Sequence, residues 1–192
     1  MRVMGIDPGF RVTGFGIVEV RCLGKIEANA RGAPAGFRAS ARVGYVASGC
    51  IRVPEGDLSD RLRAIYDNIS ETLTTYRPDA FSIEKIFMAR NADSALKLGH
   101  ARAAALLAAA HRKIPVVEYT ALQIKRAVVG QGHAQKDQVA HMVKALLQLP
   151  GTPQSDAADA LAAAICHAHH ANGSGPLERR RRPRLRLVRA PR

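Results

Sequence analysis

Met4-Gly5-Ile6-Asp7-Pro8-Gly9 is the stretch that decides how this chain folds. Val3 to Ile6 are apolar and run into a turn signal, the pattern of a short buried strand. Pro8 cannot continue a hydrogen-bond ladder and Gly9 lets the chain turn, so Asp7 falls at the strand end. A carboxylate there needs water, hydrogen-bond donors or a cation to remain ionised. On this stretch alone two readings stay open: a turn aspartate bonded to its own backbone, or a ligand in a site.

Moving outward, Phe15 to Val20 read as a second strand, and the short connection predicts an antiparallel hairpin. Residues 24 to 43 contain Gly24, Gly32, Pro34 and Gly36 with Arg31, Arg38 and Arg42, a composition expected of a long, mobile, basic loop. Tyr45 to Val53 make a third strand. Leu58, Leu62, Ile65, Ile69 and Leu73 step by three or four, which predicts a helix with one apolar face, capped by Asp57 and closed at Arg77-Pro78. Ala80 to Glu84 form a fourth strand. Residues 93 to 112 are rich in Ala and Leu around most of the circumference, so that helix is expected to be buried, in the core or in a subunit interface. Pro115 to Tyr119 form a fifth strand, followed by three shorter helices at 120–128, 136–148 and 155–170. A meander followed by βαβ crossovers gives the α/β class: a five-stranded mixed sheet with helices on both faces.

With 192 residues the chain suffices for one domain with a proper core. No apolar run approaches the roughly 18 residues of a transmembrane helix, and the first residues read as a strand rather than a signal peptide. Cys22, Cys50 and Cys166 are odd in number and far apart, as expected of reduced thiols in a cytoplasmic protein. The net charge is +13. Residues 179 to 192 hold eight Arg and no acid, and residues 172–192 are expected to form a basic tail, disordered on its own. Without that tail 21 basic and 15 acidic residues remain, so the body (residues 1–171) is itself basic at +6. A polyanion is the expected partner, nucleic acid first, with a merely soluble basic surface as the plainer alternative.

Four acids stand apart from the solvated ones. Asp7 ends the first strand, and Glu84 ends the apolar Phe81-Ser82-Ile83. If the fourth strand lies parallel beside the first, both carboxylates emerge at one sheet edge. Asp156 and Asp159, three residues apart, share a helix face just before the apolar run Ala160 to Ile165. Singly, each has an ordinary structural role: Asp156 as a first-turn residue, Glu84 paired with a nearby cation. Converging, they repel and raise their own pKa values unless a hard divalent cation joins them. Oxygen-only ligands favour Mg²⁺ or Mn²⁺, and two such ions about 4 Å apart can activate water and stabilise the leaving oxygen of a phosphodiester.

Several motifs agree in order and spacing with one family. Gly5-Ile6-Asp7-Pro8-Gly9 with Val12-Thr13-Gly14, Ile83-Glu84-Lys85-Ile86-Phe87-Met88-Ala89, Asn91 to Gly99, and Asp156-Ala157-Ala158-Asp159-Ala160-Leu161 closely resemble RuvC, the bacterial crossover junction endodeoxyribonucleases or Holliday junction resolvases. The resemblance runs from Met1 to about His170. It implies an RNase H-like fold and a homodimer. It implies metal-dependent hydrolysis of two symmetric strands of four-way junction DNA, with Asp7, Glu84, Asp156 and Asp159 as the catalytic, metal-binding acids. Mg²⁺, two ions per site, is the implied cofactor, and Mn²⁺ a substitute. Lys125 and Lys136 match basic residues near the DNA, and Phe87 an aromatic that contacts bases close to the cut. Ends carrying a 5′-phosphate and a 3′-hydroxyl, thymine-containing cut sites, and a branch-migration complex of the RuvA and RuvB type as partner are further implications. The loop at 24 to 43 and the arginine-rich tail depart from the family's usual pattern without touching the acids.

Three other functions compete. An actin- or Hsp70-like ATPase uses a similar aspartate turn but needs two such domains. A ribonuclease or RNA-processing enzyme of the same fold would use the same acids, and a catalytically silent junction-binding module would not need all four. Cys166, His167, His169 and His170 resemble zinc ligands but sit on one helix end without a second cluster, which favours packing. His133 lies in a short connection and could touch DNA.

Overall fold

The computed structural model describes residues 1–22, 41–85 and 91–173. β1 (Arg2–Asp7) pairs antiparallel with β2 (Val12–Cys22), and β2 with β3 (Ala41–Arg52). β4 (Ala80–Glu84) lies parallel to β1, and β5 (Val116–Tyr119) parallel to β4. The sheet order is β3-β2-β1-β4-β5, so β1 is central and the mixed sheet expected from the element order is present. The turn after β1 is closed by Thr13. Its buried hydroxyl donates to the Gly9 carbonyl at 3.0 Å and accepts from the Gly9 amide at 3.3 Å.

Side chains alternate across the sheet and build two cores. Met4, Ile6, Ile17, Phe81 and Ile83 face α1 (Leu58–Tyr76) and α2 (Ala92–His111). Val3, Val18 and Tyr119 face the other layer, α3 (Ala121–Val129), α4 (Lys136–Leu147) and α5 (Ser155–Gly173). α5 rests on the sheet backbone to backbone. A Cβ on Gly5 would stand 2.0 Å from the Ala160 carbonyl oxygen, and one on Gly14 2.0 Å from that of Asp156. Such approach is open only to glycine. Small residues on the helix side, Ala157, Ala160 and Ala164, are buried against this bed. Ser82 locks the contact from β4, its hydroxyl donating to the Ala163 carbonyl at 2.7 Å.

Several expectations need correction. β2 and β3 run longer than the hydrophobic pattern suggests, because the ladder continues to Cys22 and Ala41; residues 41 to 43 are strand rather than loop. The rest of the expected loop lies outside the described residues, as does the tail from residue 174. Asp57 stands at the N-cap of α1 but its side chain makes no capping bond. The protomer itself buries one face of α2, through Ala101, Ala104, Ala105, Ala108 and Ala109; Leu96 and Leu107, 61% and 62% exposed, lie on the face left to the subunit-interface alternative. α5, expected over 155–170, runs on to Gly173 and is the most deeply buried helix among the described residues. No described helix is long and apolar enough to cross a membrane.

Candidate functional site

Alternation along β1 places Val3, Gly5 and Asp7 on the α5 side. The same alternation puts Ser82 and Glu84 of β4 on that side. The parallel register pairs Ile6 with Ile83, so Asp7 and Glu84 leave the sheet side by side, one residue beyond the last pair. The first turn of α5 crosses Gly14, the partner of Asp7 on β2; it carries Asp156, and Asp159 follows at the start of the next turn. The positions of the two α5 acids follow from the glycine bed: a side chain at Gly14 would lift the helix and both of its acids away from Asp7.

Asp7 makes no hydrogen bond with its side chain among the described residues, and the turn is held by Thr13 instead. The reading of Asp7 as a self-bonded turn aspartate is therefore not supported. Its carboxyl is raised to about 7, first by burial and then by the charges of Asp159, Asp156 and Glu84, with Lys136 opposing. Burial also pushes Glu84 up, with Asp159 adding and Lys125 and Lys136 opposing. The four acids and two lysines thus share one electrostatic neighbourhood.

Lys136 is the first residue of α4, where the helix dipole disfavours a cation. Asp159 compensates: the Lys136 ammonium donates to Oδ2 at 2.7 Å, and that bond holds the lysine above its ordinary value. Glu84, Lys125, Lys136 and Asp159 line a cleft of about 210 Å³, floored by Ile124 and Val139. Among the described residues no three acids, histidines or cysteines are preassembled as a metal shell. Like charges without a counter-ion repel, and Lys136 holds one of the carboxylates. The donor set consists only of carboxylate oxygens on partly buried side chains, which fits a hard divalent ion.

The histidines near the end of α5 are engaged elsewhere. Tyr119 Oη lies 2.9 Å from His167 Nδ1, His169 Nδ1 donates to the Ala127 carbonyl at 3.0 Å, and His170 Nδ1 to that of Cys166 at 2.8 Å. Phe87 lies outside the described residues. Sequence reasoning missed the bed of Gly5, Gly14 and Gly16 as the feature that seats the acids. The available signal was glycine at alternate positions in otherwise strong strands.

Comparison with known proteins points one way. The family model for crossover junction endodeoxyribonuclease RuvC matches residues 36–167. The RuvC endonuclease of Aeromonas salmonicida is 52% identical over 167 residues, covering 87% of this chain and 86% of that protein. That of Shewanella sediminis is 51% identical over the same share of each. Thermus thermophilus RuvC in complex with Holliday junction substrate superposes with a TM-score of 0.76 at 34% identity, covering 90% of this chain and 96% of that one.

Proposed function

This chain belongs to the RuvC family of crossover junction endodeoxyribonucleases, and from that premise we propose that it resolves four-way DNA junctions by nicking two symmetric strands. The ends left are a 5′-phosphate and a 3′-hydroxyl. The observation that carries the reading is Asp7, partly buried and surrounded by Glu84, Asp156 and Asp159, with Lys125 and Lys136 beside them.

Nucleases of this family are metal-dependent, and Mg²⁺ is the proposed ion, with Mn²⁺ as substitute. Asp7, on the central strand, would be the acid shared by the two ions; Glu84 would complete one site, and Asp156 and Asp159 would serve the other. When bound, such ions supply Lewis-acid activation of water and stabilise the leaving oxygen. The rest falls to the chain. Lys136, released from Asp159, neutralises the scissile phosphate, and Lys125 holds the neighbouring backbone. Phe87 stacks on a base beside the cut, worth about 1–3 kcal/mol.

Resolution into ligatable duplexes needs two symmetric cuts, which a C₂ homodimer delivers. The exposed face of α2, with Leu96 and Leu107, is the proposed contact. A branch-migration complex of the RuvA and RuvB type is the proposed partner, and the cytoplasm the proposed place of action.

The deciding experiment incubates the protein with an end-labelled immobile four-way junction, with Mg²⁺ or with EDTA. Paired nicks at symmetric positions in Mg²⁺ alone are expected. No cleavage with any divalent ion, or cleavage of an RNA–DNA hybrid in preference to the junction, would overturn the reading.

A further inference from the structure

The row of residues that crosses the sheet at Asp7 continues beyond it. Asp7 pairs with Gly14, and Gly14 with Cys50. Ser48 pairs with Gly16 and Arg52 with Val12, so Ser48, Cys50 and Arg52 all stand on the α5 side of β3. There they line an open cleft of about 390 Å³, whose other wall is Pro153, Gln154 and Ala157 around the start of α5. That size falls in the usual ligand range of roughly 300–1,000 Å³. By sheet order this cleft and the one lined by Lys125 and Lys136 lie on opposite sides of Asp7.

Arg52 is exposed and, among the described residues, makes no ion pair and no side-chain hydrogen bond. It stands two residues along the same face from Cys50, whose row leads through Gly14 to Asp7. The Cys50 thiol is raised first by burial, and also feels Asp156, Arg52 and Asp7. A guanidinium on the same side of the sheet as Asp7 and Asp156, lining a cleft and bound to neither, is free to take an external anion. Its planar fork suits a phosphodiester.

We propose that this cleft is a second subsite for the cut strand, in which Arg52, helped by Ser48 and Gln154, holds a backbone phosphate on the side of the cut away from Lys125 and Lys136. Two strand spacings of about 4.8 Å separate β1 from β3, about 10 Å in all. That distance puts the first or second phosphate beyond the cut over Arg52. A strand gripped on both sides cannot swing its scissile phosphate off Asp7. This inference rests on the nuclease reading of the four acids.

The test uses the full chain, the Arg52→Ala and Arg52→Lys variants, and junctions in which one phosphate at a time near the cut is a neutral methylphosphonate. Single-turnover cleavage and binding in EDTA are both measured. Arg52→Ala should raise the half-saturating protein concentration about tenfold, more than it slows the saturated rate, and lower the salt slope of binding by about 1. Arg52→Lys should recover part of the loss, with thermal melting unchanged in both. At one flanking position the methylphosphonate should weaken the wild type by the same factor and Arg52→Ala no further. Losses that add at every position, or an Arg52→Ala variant within about twofold of wild type in binding, overturn the subsite. A wild type that binds the junction but never cuts it sinks the nuclease reading instead, and the binding arm still judges the subsite.

Discussion

Lys136 Nζ sits 2.7 Å from Asp159 Oδ2 at the mouth of the cleft that Glu84 also lines. The pair is too exposed to add much stability, since the lysine side chain is 60% accessible. Its consequence is electrostatic. The ammonium occupies a carboxylate that the proposed metal needs, and it lowers the negative potential felt at Asp7. Lys136→Met is therefore expected to bind Mn²⁺ more tightly in the absence of DNA, by about threefold to tenfold, given roughly 1 kcal/mol for such a charge pair. Its junction cleavage should nevertheless fall by about tenfold to a hundredfold, because the phosphate loses its neutralising partner. Calorimetric metal titration beside single-turnover cleavage checks both directions.

Asp7 is raised from 3.8 to about 7, so the folded protein holds its proton more firmly than the unfolded chain does. The stability tied to that proton is present below the unfolded value and is lost as pH climbs through about 7. Metal-free wild type should thus lose on the order of 1–2 kcal/mol between about pH 4 and pH 7 relative to Asp7→Asn, after allowance for solvent access. Added Mg²⁺ should remove the difference at the upper end. Asp7→Asn should bind junction DNA nearly as wild type does, because cations supply the affinity, and should not cut it. Denaturant unfolding at several pH values and a gel-shift assay test the two halves separately.

Gly14 determines where the first turn of α5 lies. A methyl group there meets the Asp156 carbonyl oxygen at 2.0 Å, a backbone atom that can yield only if the helix moves. Gly14→Ala is expected to destabilise the protein by about 1–3 kcal/mol, as overpacking does. Its cleavage should fall much further than that stability loss explains, because Asp156 and Asp159 move with the helix. Ser82→Ala is the comparison: it deletes the buried bond to Ala163 at a cost of about 0.5–1.5 kcal/mol without forcing the helix outward. If both variants lose activity in proportion to stability alone, the glycine bed does not position the acids.

The central strand, the hairpin, the crossovers, the strand ends at Asp7 and Glu84 and the helix face shared by Asp156 and Asp159 were legible because they rest on local periodicity and on turn residues such as Pro8 and Gly9. What escaped was the difference between α2 and α5. Both are rich in alanine and both look apolar nearly all round. α5 lies on Gly5, Gly14 and Gly16 and is buried, whereas α2 meets no such bed and leaves two leucines in solvent. That distinction is a fit between surfaces remote in sequence, to which a single helix's periodicity is blind. The Arg52 cleft escaped for the same reason, because β3 acquires a partner wall only when the start of α5 arrives.

The two leucines lead to the last prediction. Leu96 and Leu107 are eleven residues apart, close to three full turns, so they lie along one stripe of α2. Gly99 and Ala103, both exposed, fall on the same stripe and keep it low enough for another helix to approach closely. The opposite stripe, from Ala101 to Ala109, is already spent on the core shared with α1. In the proposed homodimer the exposed stripe is what remains for a second copy. A leucine buried in such a contact contributes about 2 kcal/mol, and a carboxylate in its place adds a desolvation cost. Leu107→Glu should therefore weaken the dimer by at least about thirtyfold while leaving thermal melting of the protomer nearly unchanged. Light scattering across a dilution series should find monomer where wild type is dimeric. On a plasmid bearing an extruded cruciform, the variant should leave nicked circles where wild type leaves linear product, because one active site makes one cut. A Leu107→Glu protein that stays dimeric would place the interface elsewhere on the molecule.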